Sequence, residues 1–574
     1  MRRLRVVVVM AMVVLTLQMS VASTQRHEFR RIPVNEYVDK MKAGWIGQMV
    51  GVGWGGPTEF QWRDAIMPEE EMPKWVPDLV NQFWQDDLYV EMTFLRTLEL
   101  YGLDVSIRQA GIDFANSGYG LAHANKFGRL NLRNGIAPPD SGHPKFNGHA
   151  DDIDYQIEAD YAGLISPGMP NSGIRFGETF GHLMNYGDGL YGGQFVSGLY
   201  AEAFFEKDME KVVRAGLRCV PKGSQYYECI TDVLQWWKKH PRDWEKTWRL
   251  IEEKYHDNPD YRRGACDHEP WNNIDAKING AYIAIGMLYG EGDLDQTIII
   301  SMRCGKDSDC NPSSAAGVLF TSLGFSNLPD RFTSALNEQG KFSHTPYSFP
   351  ILVHVCETLA RQAVLKEGGR VERKEDGTEE FIIPVKRPKP SALEQCWEAG
   401  PIANSRFSEK ELAQIVPPPV QIIVDPFIIA DINEAVETFA PGWSAKHCWA
   451  DDDIPPGLHN LGLPGQADWL VTHPLSEEVG CVLFKRIKVP GGKIQVCLSV
   501  GHHRQGDWVL VVKVNGDELL RTTVGSETTV NHTRDIQVDL SRYAGSEILL
   551  ELINEANGWS YEAVYWGKIA IVTE

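Results

Sequence analysis

The sequence predicts a multidomain chain: an all-α domain followed by an antiparallel β-sandwich. Three observations predict this. Through the first part of the chain, apolar residues recur at spacings of three and four, the period of one helix face. After about residue 421 the pattern changes to short runs rich in Val, Ile and Leu, bounded by turn residues. Between the two lies proline-rich sequence, IPVKRPKPS and VPPPV, which reads as linker. These shifts set the expected boundaries at 34–366 for the helical domain, 367–420 for the linker region and 421–574 for the sandwich.

Residues 1–24 precede the fold. Arg2, Arg3 and Arg5 form a positive start, Val6 to Leu17 an apolar stretch, and Ala22 and Ser23 a small-residue end. This is the pattern of a cleaved secretory signal, too short for a comfortable membrane span, with an uncleaved anchor as the alternative. It implies a secreted or periplasmic product with no membrane span after cleavage.

The helices follow in order. DDLYVEMTFLRTLELYG puts Leu88, Met92, Leu95 and Leu98 on one face. SQYYECITDVLQWWKKHPRDWEKTWRLIEEKY reads as two helices broken at Pro241. In CNPSSAAGVLFTSLGF, Asn311 reads as an N-cap with Pro312 in the first turn, and Ala and Gly allow close helix packing. EGGRVERKEDGTEEF resembles an exposed hairpin or loop. In the C-terminal region, Val-Asn-Gly-Asp at 514–517 is a hairpin signal, and runs such as KIQVCLSVG and EILLELINEA suggest a sandwich.

Composition narrows the function. Lys plus Arg number 56 against 77 Asp plus Glu, a net charge of -21, and losing the three Arg of 1–24 makes it -24. So acidic a chain is a poor nucleic-acid binder, because phosphate contacts need clustered Lys and Arg. The ten cysteines contain no CxxC pair, which leaves zinc ribbons and thioredoxin-type chemistry unsupported. Export permits disulfides, and buried free thiols fit the spacing equally.

Two carboxylate clusters carry the chemistry. Asp86 and Asp87 open one helix, and Asp307 and Asp309 lie in Gly-Lys-Asp-Ser-Asp-Cys-Asn just before another. Adjacent carboxylates repel unless donors or cations compensate. Helix N-termini do so in part, and a hard cation such as Mg²⁺ or Ca²⁺ does so better. The second cluster is no EF-hand, since Pro312 stands where the loop needs Gly and Val318 where it needs Glu. Gly305-Lys306 is no phosphate loop, since Asp307 replaces the required hydroxyl residue. A third polar stretch, 141–170, holds His143, His149, Asp151, Asp152 and Asp154. It reads as a loop capping the next helix, as a zinc set of His-x5-His-x-Asp type, or as a substrate-facing loop contributing Asp151 and Asp152.

Residues of about 36–330 resemble the ADP-ribosylglycohydrolase family. The resemblance rests on three motifs in order: the glycine-rich KAGWIGQMVGVGWGGPTE, then DDLYVEMTF, then DSDCNPSSAAGVLFTSLG. NYGDGLYGGQFVSGLYAEAF is similar to the family's central glycine-rich helix. The resemblance implies an all-α bundle around a site for one or two ions, Mg²⁺ or Mn²⁺, held by Asp86, Asp87, Asp307 and Asp309. It places Glu59 beside the metals, and Glu59 or Asp87 would act as base. It implies hydrolysis of an N- or O-glycosidic bond of an ADP-ribosyl conjugate, or of an extracellular carbohydrate given the export signal. Gln85 and Cys310 stand where the family usually has Thr, and thiol suits a hard cation poorly. Those departures support the alternative of a catalytically inactive carbohydrate-binding or scaffold protein on the same fold.

The C-terminal module looks similar to galactose-binding-like sandwiches. Trp508, Trp559, Tyr561 and Trp566 are candidates to stack on sugar rings of a polysaccharide, with His502, His503 and Asn554 as hydrogen-bonding partners. Trp559, in a loop-like NEANGWSY, is the foremost of these. Core packing is the alternative for each aromatic.

Overall fold

The computed structural model describes residues 28–261, 274–416, 432–448, 456–461, 463, 468–474, 476–477, 479–558 and 561–573. The expected signal segment 1–24 and Trp559 lie outside them.

The helical domain is built on a pair of helices that nearly touch. Helix α1 (Val34–Gly55) is buried almost throughout from Lys40 onward. It contacts α2 (Asp86–Tyr101) on its way into the centre of the domain, and α3 (His123–Arg133) follows later in the chain. Three later helices complete the elements used below: α4 (Asp188–Ala203), α5 (Ala276–Tyr289) and α6 (Cys310–Leu323). Gly47, Gly51 and Gly55 repeat every four residues along one face of α1. A Cβ at Gly47 would stand 2.6 Å from the Gly317 Cα, at Gly51 2.3 Å from the Pro312 carbonyl oxygen, and at Gly55 2.2 Å from that of Ser308. No side chain fits there, so α1 and α6 pack backbone to backbone. Each glycine costs about 1 kcal/mol of helix propensity, which the close packing offsets.

Helix α2 buries Leu88, Met92, Leu95 and Leu98, the face expected from their spacing. The break at Pro241 separates helices Gln225–Lys239 and Trp244–Ile251. Helix α6 begins two residues earlier than an N-cap at Asn311 predicts. Asp309 holds the N-cap position without a side-chain cap bond, and the Asn311 amide donates instead to Asn279 Oδ1 at 2.8 Å.

The segment read as a linker is not free chain. After helix α7 (Phe349–Lys366), strands β2 (Arg370–Arg373) and β3 (Glu379–Pro384) form a hairpin, and β1 (Phe29–Pro33) pairs with its other edge. Phe381, Ile382 and Ile383 are fully buried. Further along, the Asp140 carboxylate accepts the Ala403 and Ser405 amides, each at 2.8 Å, and Arg108 makes two 2.6 Å bonds to Glu411. The cause is side-chain chemistry that proline content hides: apolar alternation in β3, and buried acids whose partners are these amides.

The C-terminal region is a β-sandwich of two five-stranded sheets. One has the order β10 (Asp517–Val524), β9 (Trp508–Val514), β12 (Glu547–Ala556), β7 (Cys481–Lys488), β4 (Ser444–Lys446). The other runs β11 (Thr533–Asp539), β8 (Ile494–His502), β13 (Val564–Thr573), β6 (Trp469–Thr472), β5 (Gly457–His459). All described pairings are antiparallel. Ile494, Val496, Leu498 and Val500 alternate inward along β8. Asn515 and Gly516 both take positive φ, 51° and 89°, which makes the two-residue hairpin that Val-Asn-Gly-Asp predicts. Among the described residues no disulfide is present, and no helix is long and apolar enough to cross a membrane.

Candidate metal centre

The C-terminal end of α1 meets the N-terminal ends of α2 and α6. Chain geometry between them is tightly held. Gly305 and Lys306 are consecutive left-handed residues, φ 78° and 55°, and a Cβ at Gly305 would lie 2.1 Å from the Trp62 carbonyl oxygen. The unfavourable Lys306 backbone is locked in place. Its N–H donates to Trp62 O at 2.7 Å, its carbonyl accepts the Phe60 N–H at 3.1 Å, and its fully buried Nζ donates to Arg63 O at 2.8 Å and pairs with Glu252 at 3.1 Å. Thr58 and Ser308 hydroxyls meet at 2.9 Å. The loop after α1 is thereby clasped to the loop before α6.

That clasp brings the carboxylates together. One oxygen each from Glu59, Asp307 and Asp309 lie within 4.8 Å of one another, as do ligand atoms of Asp87, Asp309 and Cys310. Asp309 belongs to both groups. Asp86 stands at the exposed rim, where desolvation in the cleft and then the Asp309 charge push its carboxyl up to about 6. Burial followed by the charge of Asp309 drives Asp87 and Asp307 well above the ordinary carboxylate range. These acids therefore oppose each other's ionisation, the state a cation would relieve.

The donor set fits a hard divalent ion. Asp87 Oδ1 and Asp307 Oδ1 are buried with no hydrogen-bond partner, which is costly unless something else satisfies them. Cys310 does not enlarge the oxygen set. Its thiol, pushed well up by burial, stays protonated and donates to Asp87 Oδ2 at 3.3 Å and Asp309 Oδ1 at 3.6 Å. Gln85 is buried at the α2 N-cap without a side-chain cap bond.

A second layer of acids lies behind. Glu91, one turn after Asp87, is fully buried, and its Oε2 accepts the Tyr161 N–H at 2.7 Å. Asp160, pushed up to about 7 by burial, accepts from the Ser314 hydroxyl at 3.4 Å. The i, i+4 step from Asp87 was a usable signal for Glu91; Asp160 and Asn279 had none.

Asp151 and Asp152 do not join this centre. They are 5% and 1% exposed. Asp152 Oδ2 instead meets His149 Nδ1 at 2.6 Å, and His143 Nε2 lies 2.9 Å from the Gly400 carbonyl, apart from that pair.

In the sandwich, Trp508 and Trp566 are core residues. Both are fully buried, with ring N–H groups donating to Gly501 O at 3.0 Å and Thr472 Oγ1 at 2.9 Å. His502 and Asn554 are buried too. Tyr561 remains accessible at 37% and stacks on His503, centroids 4.8 Å apart. We expect Trp508→Ala to destabilise the sandwich by about 3–5 kcal/mol in urea unfolding; a cost under 1 kcal/mol would contradict the core assignment.

A family model described as ADP-ribosylglycohydrolase matches residues 33–369. No curated protein matched the chain. Among solved structures, one titled an ADP-ribosylglycohydrolase-related protein complex is similar over 57% of this chain and 99% of that chain, at 14% identity and a TM-score of 0.36. A xylan-binding domain from Paenibacillus barcinonensis covers 25% of this chain and 90% of its own, at 15% identity and a TM-score of 0.18. A cyclase from Fischerella sp. TAU covers 24% and 86%, at 14% identity and a TM-score of 0.19. Likenesses this slight do not bear on function.

Proposed function

The chain belongs to the ADP-ribosylglycohydrolase family, and on that premise we propose that it is an exported, divalent-metal-dependent glycosidase. A glycohydrolase type of function follows from the family. The observation that carries the metal dependence is the convergence of Glu59, Asp87, Asp307 and Asp309, with two of their buried oxygens unpaired.

Asp87, Asp307 and Asp309 would hold the ion or ions, Mg²⁺ or Mn²⁺ by their all-oxygen chemistry. When bound, such an ion polarises substrate hydroxyls and makes nearby water more acidic. The chain's own groups divide the rest. Glu59 is exposed while its carboxylate reaches Asp307 and Asp309. It is thus the acid best placed to take a proton from water beside the anomeric carbon. Asp86, at the rim, can accept from sugar hydroxyls. Cys310 orients Asp87 and Asp309 through its two S–H contacts.

The substrate is a glycoside, either an ADP-ribosyl conjugate or an extracellular carbohydrate. The signal-like 1–24 segment favours export and so the carbohydrate, and Tyr561 with His503 offers a stacking face for a polysaccharide. The deciding experiment is a hydrolysis screen of glycosides and ADP-ribosyl conjugates, run after chelation and again with Mg²⁺ or Mn²⁺. We expect turnover that requires the ion and is lost in Glu59→Gln. Turnover unaffected by chelation would overturn the metal reading, and no turnover on any substrate would favour the inactive binding-protein alternative.

A further inference from the structure

The histidine cluster beside α3 is a second, chemically different centre. We propose that His123, His149 and Asp152 form a three-ligand site for a borderline divalent transition metal of the zinc type. It shares no residue with the carboxylate centre, and its ligand atoms all lie within 4.8 Å of one another. The donor sets differ in kind: two imidazoles and one carboxylate suit Zn²⁺ or Co²⁺, whereas an all-carboxylate set suits Mg²⁺.

The cluster is built rather than fortuitous. His123 opens α3 with φ 46°, an uncommon backbone for a non-glycine residue. The next two amides, of Ala124 and Asn125, donate to the Asp154 carboxylate at 3.2 and 2.8 Å. On the other side, the Asp152 N–H donates to His149 O at 3.0 Å, and the His149 N–H to Asn147 Oδ1 at 3.0 Å. Fully buried Asn147 joins the two halves, since its amide donates to Ala124 O at 2.9 Å and Met184 O at 2.8 Å. One loop, 147–154, thus fixes both histidines. Phe127, one turn along α3, stacks on the His149 ring at 5.0 Å and 17°, and the His123 ring lies 5.6 Å from it. Ring orientation is set before any ion arrives, which lowers the cost of binding.

At 2.6 Å, His149 Nδ1 and Asp152 Oδ2 are as close as a shared proton allows. An ion at about 2.0–2.1 Å from each takes the place of that proton, which leaves to solvent, and tetrahedral coordination spreads the pair by about 0.7 Å. Both histidines are half-buried, so the site has access from outside. Three protein ligands leave a coordination position for water or a substrate group, the arrangement of catalytic rather than structural zinc. The sequence pattern pointed to His143, His149 and Asp151; the fold replaces His143 with His123 and Asp151 with Asp152.

The test uses the whole chain, stripped with chelator and titrated with Co²⁺. We expect one equivalent to give the visible absorption of nitrogen-bound cobalt. The band should persist in Asp309→Asn and disappear in both His149→Ala and His123→Asn, the latter chosen because Asn tolerates a left-handed backbone. Should either histidine variant fail to fold, X-ray absorption of the Zn²⁺-loaded wild type decides: two imidazole shells at about 2.0 Å support the site. Oxygen ligands alone, or a cobalt band untouched by both histidine changes, would overturn it.

Discussion

Without added metal, Asp309→Asn should be more stable than the unaltered chain; with Mg²⁺ or Mn²⁺ it should gain nothing. The two signs have one cause. Asp309 is the acid shared by both ligand groups, and it is the largest charge pushing Asp87 and Asp307 up. Neutralising it removes repulsion inside a buried cluster, for an expected gain of about 1–3 kcal/mol. The unaltered chain should recover more than this once an ion bridges the acids. At an ion concentration one hundred times Kd the gain is about 2.7 kcal/mol, and it rises with concentration. Asn keeps the shape but not the charge, so the variant loses the bridge. Thermal unfolding with chelator and across a Mg²⁺ series reads both signs. An equal metal-dependent shift in the two proteins would remove Asp309 from the site.

The second large effect is expected from a single methyl group. In an ordinary helix, Gly→Ala stabilises by about 1 kcal/mol. Gly51→Ala should instead destabilise the helical domain by about 3 kcal/mol. Its Cβ would stand 2.3 Å from the Pro312 carbonyl oxygen and 2.5 Å from the Ser313 Cα. Both contacts are backbone, with no flexible tip to move aside, so α1 and α6 must separate. Separation also draws Glu59 away from Asp307 and Asp309, which weakens the metal-dependent thermal shift of whatever folds. Denaturant unfolding measures the first effect and Mg²⁺ titration of the folded variant the second. A neutral or stabilising result would mean that the two helices do not depend on backbone contact.

Much of this architecture is legible in the residues themselves. The three-and-four spacing of Leu88, Met92, Leu95 and Leu98 reports a helix face because a helix repeats every 3.6 residues. Val-Asn-Gly-Asp reports a hairpin because Asn and Gly alone enter the left-handed region cheaply. The carboxylate pairs stand out because adjacent like charges are costly without a compensating partner. Less legible were the roles of the aromatics. Trp508 and Trp566 carry polar ring N–H groups and look equally suited to a sugar site or a core. Only the partners Gly501 and Thr472 show that they are packed inside.

The residues by themselves determined what depends on neighbours a few positions away: the helical and strand periods, the cap and turn chemistry, and the two acid clusters as separate features. Only the tertiary structure decided which of those features meet. Asp87 and Asp309 are more than two hundred residues apart in sequence. Their meeting depends on the glycine face of α1, the clasp at Lys306 and the pairing of Thr58 with Ser308. The same holds for His123 in place of His143, and for the chain from 370 to 416 that folds onto the helical domain instead of running free. Local chemistry shows which groups need a partner, and packing of distant segments settles which partner each one finds.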